Sequence, residues 1–165
     1  MYLKGKTPKV IYSPVATPFG IFTLCHNEKE VLEFCFPEKF RIPINLKRTR
    51  FSNRIESRLK SMFLHGKPLP RIPVKLEGSA FELKVLKEIR KIPHGKTKTY
   101  SDISTRTNFP KSARAVGNVC GKNRMPIFIP CHRVVTKNAG IGNYSSGKKW
   151  KKLLLDIEKK HEMPD

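Results

Sequence analysis

Acidic side chains are scarce in this sequence: 13 Asp and Glu stand against 34 Lys and Arg, for a formal net charge of +21. Such an imbalance favours polyanionic partners and makes nucleic acid the leading class, with a solvated basic surface as the plainer reading. The excess is not confined to a tail, since 15 basic and 5 acidic residues precede or include Lys75, and 19 and 8 follow it. Long apolar runs are also missing. None approaches the roughly 18–20 residues that span a bilayer, and the opening "MYLKGKTPKV" has no apolar leader core. The expectation is a soluble cytoplasmic protein with no membrane association, a nuclear address remaining open. None of the four cysteines forms a CxxC pair, so no tetrahedral zinc site, disulfide framework or cofactor is expected. Cys25-His26 with Cys35 comes nearest to a metal fragment, but both cysteines lie in strand-like runs where a free thiol packs as a small apolar group. Repeats and low-complexity segments are absent.

What is present reads as α+β, with enough chain for one good core or two small ones. "GIFTLCHNEKEVLEFCF" (20–36) predicts a hairpin of two half-buried strands. In "NRIESRLKSMFLHG", Ile55, Leu59, Met62 and Phe63 share one helical face, with Asn53 as cap and Gly66 as terminator. "KPLPRIPVKLEG" is a proline-rich connection. It places a boundary between an N-terminal domain (1–75), a small β-sheet plus helix, and a mostly helical C-terminal domain (76–165). There, "SAFELKVLKEIRKIP" opens on a capping box of Ser79 and Glu82, and Pro93 stops the helix. Thr99 and Asp102 repeat that spacing before a short helix to about Thr107; a turn at "NFPK" leads to a second helix from Ser112 to Cys120. Two short helices in a basic chain fit a helix-turn-helix. "PCHRVV" predicts a strand and "TKNAGIGNYSSG" a glycine-rich loop or wing. The last helix places Trp150, Leu153, Leu154 and Ile157 on one face, with Glu158 at its edge.

Within "MPIFIPCHRVV" a cysteine and a histidine adjoin behind Pro130. An unperturbed thiol is only about 3% ionised at pH 7. An imidazole that takes its proton, oriented by a carboxylate, removes that handicap; His132 and Glu158 are the candidates. Neighbours in a strand face opposite ways, so either the chain bends at Pro130–Cys131 or a water links the two, and the water is the expected route. Full ionisation gains only ~2 kcal/mol, whereas holding an electrophile in line is worth ~7–11 kcal/mol. The site is thus expected to be mainly a positioning device. The plainer reading makes Cys131 a buried small hydrophobe.

From Ile92 to Glu158 the sequence resembles the O6-alkylguanine-DNA alkyltransferases, which move an alkyl group from guanine onto their own cysteine. "IPCHRVV" matches their active-site motif, "SARAVGNVCGKN" their recognition helix and hinge, "GIGNYSSG" their glycine-rich loop and "LLLDIE" their final helix. The N-terminal half is similar in layout, through "SPVATPFGIFTL" and the later helix. The resemblance implies a ribonuclease H-like N-terminal domain and a winged helix-turn-helix. It makes Cys131 the single-use alkyl acceptor, His132 (through a water) and Glu158 its proton relay, and Asn123 the tie between hinge and active-site strand. Tyr100 becomes the donor to a flipped guanine, and Arg114 the filler of the gap left in the duplex. Pro126, Val134, Tyr144 and Ser145 line the base pocket. Lys111, Ser112, Ala113, Ala115 and Gly117 join Arg114 on the DNA-binding surface. The implied partner is double-stranded DNA carrying O6-alkylguanine, approached from the minor groove by a monomer. Arg124 stands where many members have proline, and the cysteine and histidine of the zinc site found in some members fall on Asn27 and Leu32, so that metal is not implied.

These roles obey simple chemistry. A thiol cannot reach guanine O6 inside the stack, so the nucleotide must turn out, at a cost of a few kcal/mol. A guanidinium can stack in the hole and bond the orphaned base, although Arg114 also suits a phosphate. Ala113, Ala115 and Gly117 allow close approach to a groove floor, or tight packing on the preceding helix. Tyr100 could equally staple its helix start. A cysteine hydrolase lacks an oxyanion-hole loop here; the alternative is a protein that binds alkylated DNA without repairing it, but the resemblance implies that such relatives replace the acceptor cysteine, and Cys131 is present.

Overall fold

The computed structural model describes residues 9–39, 45–138, 140–142 and 144–160. Three antiparallel strands, β1 (Ile11–Thr17), β2 (Gly20–His26) and β3 (Val31–Cys35), form one sheet in that order. The hairpin of β2 and β3 is the one predicted; β1 is additional. Pro14 sits inside it, which a sheet tolerates because β1 is an outer strand. The asparagine side chain at Asn27 accepts the main-chain N–H groups of Lys29 and Glu30 (3.0 and 2.9 Å) and so closes the β2–β3 turn.

Helix α1 (Arg50–His65) covers the sheet with Phe51, Ile55, Leu59, Met62 and Phe63. It begins a turn before the expected Asn53 cap. Thr49 is the cap: its hydroxyl accepts from Ser52 N–H (3.1 Å), and Ser52 Oγ accepts from Thr49 N–H (2.9 Å). Gly66 ends the helix in the left-handed region at φ 57°, as expected.

The remaining helices are α2 (Ala80–Ile89), α3 (Tyr100–Arg106), α4 (Ala113–Gly121) and α5 (Lys148–Lys159). The boxes at Ser79–Glu82 and Thr99–Asp102 both form. Helix α2 ends at Ile89, short of Pro93, because turns at Lys91 and Ile92 close onto Glu88 and Ile89. Two-residue strands β4 (Lys98–Thr99) and β5 (Val134–Val135) pair in parallel, fixing the start of α3 beside the cysteine segment.

The expected "PCHRVV" strand is a correction. Cys131–Arg133 form a 3-10 turn, and only Val134–Val135 are extended. Pro130 (φ −80°, ψ 62°) bends the chain, Cys131 N–H bonds Ile129 O (2.8 Å) and Arg133 N–H bonds Pro130 O (2.9 Å). Just upstream, Ile127 adopts φ 75°, a backbone conformation that costs a β-branched residue ~1–3 kcal/mol.

Aromatic rings join the sheet to this segment. Phe36 meets Trp150 of α5 at 4.6 Å, Phe34 meets Phe128 at 5.0 Å, and Phe22 contacts both Phe34 and Trp150. Each such pair adds ~0.5–1.5 kcal/mol beyond its buried area. The outer edge of β3 ends on the same region, with Phe34 N–H donating to Arg124 O (2.8 Å) and Val31 N–H to Pro73 O (2.9 Å). In the glycine-rich loop, Ala139 and Asn143 lie outside the described residues.

Candidate active site

Cys131 is 1% exposed, at the first position of the 3-10 turn. Asn123, just after α4, holds it from the side. Its amide donates to Cys131 Sγ (3.2 Å) and Ile129 O (3.0 Å), and its Oδ1 accepts from Met125 N–H (3.0 Å). One side chain thereby fixes the loop, the strained Ile127 segment and the sulfur.

The bend at Pro130 occurs, yet no direct hydrogen bond joins Cys131 to His132 among the described residues. His132 points its Nε2 at Glu158 Oε1 (2.8 Å), while its Nδ1 makes no hydrogen bond to the protein. Glu158 is not at the edge of the core; it is fully interior, at 2% exposure. Four donors hold it there: His132, Gly95 N–H (3.0 Å), and the Nε and Nη2 of Arg133 (2.9 Å each). Arg133 also reaches Ile92 O at 2.7 Å. Burial alone would raise the carboxyl pKa of Glu158, but the bonds from His132 and Arg133 outweigh it and hold the group well below the usual carboxylate range. Burial depresses the pKa of His132 against the pull of Glu158. A carboxylate accepting from a neutral imidazole sets the tautomer: Nε2 carries the hydrogen and Nδ1 keeps its lone pair. That lone pair is a free base inside the protein.

The thiol pKa of Cys131 is raised well above its ordinary value, first by a hydrogen bond with Cys120 and then by burial, with Asn123 and Lys151 opposing. Lys151 is a residue that the sequence did not single out. It is 0% exposed, and its Nζ donates to Val134 O (2.6 Å) and to the Tyr100 hydroxyl (3.4 Å). Burial lowers its own pKa, while the two thiols pull it up. The Tyr100 hydroxyl is pushed up to about 12, mainly by burial, and is a proton donor at neutral pH.

An open groove of about 640 Å³ lies over this cluster, lined by Tyr100, Ala113, Arg114, Gly117, Tyr144 and Ser145 together with Asn118, Gly121, Thr136 and Gly142. Six predicted residues are thus brought to one surface. Ala115 and Ser112 are half-buried and Lys111 is exposed on α4's approach, all three outside the lining; Pro126 and Val134 are buried behind it. A Cβ on Gly117 would meet Tyr100 at 3.8 Å, ordinary contact, so packing on α3 does not demand glycine there. Gly142 is different: at φ 66° a Cβ would crowd the Tyr100 hydroxyl and Thr136 at 3.3 Å. The buried hydroxyl of Tyr144 makes no hydrogen bond to the protein. With His132 Nδ1 it gives two buried polar atoms a ligand can satisfy.

Comparison with known proteins agrees with this geometry. The DNA-binding domain of 6-O-methylguanine DNA methyltransferases matches residues 80–160. A methylated-DNA–protein-cysteine methyltransferase of Saccharolobus islandicus is 36% identical over 152 residues, covering 90% of this chain and 95% of that protein. An inducible Bacillus subtilis protein of the same name is 45% identical over 89 residues, 54% of this chain and 50% of that one. The crystal structure of Mycobacterium tuberculosis OGT in complex with DNA superposes with a TM-score of 0.77 at 28% identity, covering 92% of this chain and 94% of that chain. Identity at that level, over nearly the whole length of the archaeal relative, places this chain in the methylated-DNA–protein-cysteine methyltransferase family.

Proposed function

We propose that this protein repairs DNA by moving the alkyl group of O6-alkylguanine onto Cys131 Sγ, once per molecule. The S–C bond forms as the C–O6 bond breaks, leaving guanine and an inert thioether. The observation that carries the reading is the buried thiol fixed by Asn123 beside the neutral imidazole of His132 and the Glu158 carboxylate, beneath a groove on α3 and α4.

Each residue has a task in this scheme. The thiol leaves the resting state protonated, so its proton must depart as sulfur attacks. His132 Nδ1 receives it through a water, and Glu158, fixed by Arg133, stabilises the imidazolium that results. Lys151 supplies positive charge beside the forming thiolate, and Tyr100 donates to the guanine ring as the electron pair of the breaking C–O6 bond passes into it. Tyr144, Ser145 and the main chain around Val134 and Pro126 enclose the base. Helices α3 and α4 act as a winged helix-turn-helix whose small residues, Ala113, Ala115 and Gly117, meet the minor groove. That face carries little sequence information, which suits a protein that must search all sequences. Arg114 enters the stack, with Lys111 and Ser112 near phosphate. The N-terminal unit (1–75) is the ribonuclease H-like part and residues 76–165 the acceptor domain; the protein acts as a monomer in the cytoplasm.

The test is incubation with duplex DNA carrying radiolabelled methyl on guanine O6. Label should move to protein stoichiometrically, to the peptide holding Cys131, and Cys131→Ala should abolish transfer. Tight binding with the label retained on DNA would mean recognition without repair; label released to water with turnover would mean hydrolysis.

A further inference from the structure

A second cavity, of about 340 Å³, shares no lining residue with the groove over the thiol. Its walls come from the proline-rich connection, the end of α2 and the segment that carries the acceptor turn. Arg71, Arg90, Lys91, His94 and Arg133 line it, and no Asp or Glu does. Three of these five groups face a carboxylate elsewhere. Lys91 pairs with Glu88 (2.7 Å), Arg133 with Glu158 (2.9 Å), and His94 Nδ1 stands 3.7 Å from Glu158 Oε1. Among the described residues no ion pair holds Arg71 or Arg90. Arg90 Nη2 donates to the carbonyl oxygen of Ile72, the residue after Arg71, so both guanidinium-bearing segments meet at one wall. Burial and the charge of Arg71 both lower the pKa of Arg90. Two like charges thus share a half-buried site that no protein carboxylate offsets.

We propose that this cavity is a phosphate-binding site, in which the guanidinium groups of Arg71 and Arg90 take the oxygens of a tetrahedral phosphate. A guanidinium presents its N–H donors as a planar fork that matches such an oxyanion, and it stays charged at any physiological pH. The anion removes the repulsion between the two arginines. Four prolines in the lining fix the backbone φ along the walls, so the donors need little rearrangement to receive it. Partial enclosure by apolar side chains also leaves the attraction less screened than on an open surface. Inorganic phosphate and the phosphodiester of a nucleic-acid backbone both carry this chemistry.

Binding is read without any repair reaction. Thermal melts of the full chain in sodium phosphate, against sodium chloride of equal ionic strength, should show a saturable rise of about 3–6 °C at ten times the Kd. Phosphate also stabilises proteins generally by exclusion from their surface, so the difference between variants is what counts. Arg71→Gln, at an exposed position, and Arg90→Gln should each lose the saturable rise. Lys87→Gln removes the same charge from the exposed face of α2, outside the cavity, and should keep it. A wild type with no saturable rise overturns the proposal, as does an arginine variant that keeps it or a Lys87→Gln protein that loses it.

A second measurement identifies the source of the phosphate. Binding of undamaged duplex DNA is followed by fluorescence anisotropy over a range of chloride concentrations. A salt slope smaller by about 1 in Arg71→Gln than in the wild type and Lys87→Gln assigns the bound group to the DNA backbone. An unchanged slope, with the phosphate-dependent rise still lost, assigns the site to free phosphate. Methyl transfer to Cys131 is scored in neither measurement, so the phosphate site and the repair reading fail separately.

Discussion

Lys151 Nζ donates to the carbonyl oxygen of Val134 at 2.6 Å, placing a fully buried cation against the strand that follows the acceptor cysteine. A lysine in that position meets a large desolvation cost, and among the described residues its hydrogen-bond partners are neutral, Val134 O and the Tyr100 hydroxyl. Its compensation comes when charge appears on sulfur.

Lys151→Met should therefore separate activity from stability. Removing the cation from an apolar site is neutral or stabilising toward denaturant. Alkyl transfer should slow about tenfold or more, the loss expected from ~1.4 kcal/mol of thiolate stabilisation. The rate–pH profile should move to higher pH. Equal losses of stability and rate would assign Lys151 to packing alone.

Glu158→Gln replaces the carboxylate that accepts from His132, Gly95 and Arg133 with a neutral amide that keeps one acceptor oxygen. Arg133 is left without its anion in a site where its side chain is 13% exposed, and breaking such a pair costs ~3–5 kcal/mol. The sign in pH follows from the depressed carboxyl. Its stabilisation is fully present above the ordinary value of 4.5 and is lost as pH falls through the folded value. Urea denaturation across acidic pH should show the wild type losing stability below 4.5 and the variant losing less. In alkylation assays the apparent thiol pKa of the variant should rise; an unchanged profile would take Glu158 out of the relay.

His26 gives a second pH effect, far from the site. Its Nδ1 accepts from Glu28 N–H (3.0 Å), so Nε2 carries the hydrogen toward Ser13 Oγ (2.8 Å), and the ring is fully buried. Burial lowers its pKa below 6.5, so protonation is easier in the unfolded chain. Stability should be complete above 6.5 and decline as pH falls through the folded value. Thermal melts of wild type and His26→Gln between neutral and mildly acid pH check this: the wild-type slope should be absent in the variant.

Arg114→Ala concerns the groove. Arg114 is exposed on α4 and belongs to the lining beneath which the thiol lies. Repair of duplex should slow far more than reaction with a small free O6-alkylated guanine base. Equal slowing of the two would rule out a part in extruding the nucleotide.

The sequence made local rules legible and paired interior charges illegible. Ser79–Glu82 and Thr99–Asp102 were readable because a cap involves residues three apart. Thr49 escaped because its partner is Ser52, where Glu or Gln marks the usual box. Lys151, and the depth of Glu158, which was legible as the orienting carboxylate but was placed at the edge of the core, escaped for one shared reason. Apolar periodicity centred α5 on Trp150, Leu153, Leu154 and Ile157, whereas the buried face is Trp150, Lys151, Leu154, Ile157 and Glu158. Polar side chains that find partners inside are invisible to a hydrophobic pattern, and four lysines surround Trp150. The turn at Cys131 was hidden likewise: Val134 and Val135 read as strand, but Pro130 and the bonds made by Asn123 decide the conformation. Arg133, inside the best-matched motif, carried the signal without a role until its contact with Glu158 was seen.

The outermost strand of the small sheet finishes on Arg124 and Pro73, so its main-chain amides are spent within the molecule. Released from the helical half, β3 would keep its bonds to Pro73 and Lys75 but lose the acceptor of Phe34 N–H, leaving the end of its outer edge open to a second copy. Production of residues 1–75 alone should accordingly yield insoluble, intermolecularly paired material, and the repair half serves its companion as a cover.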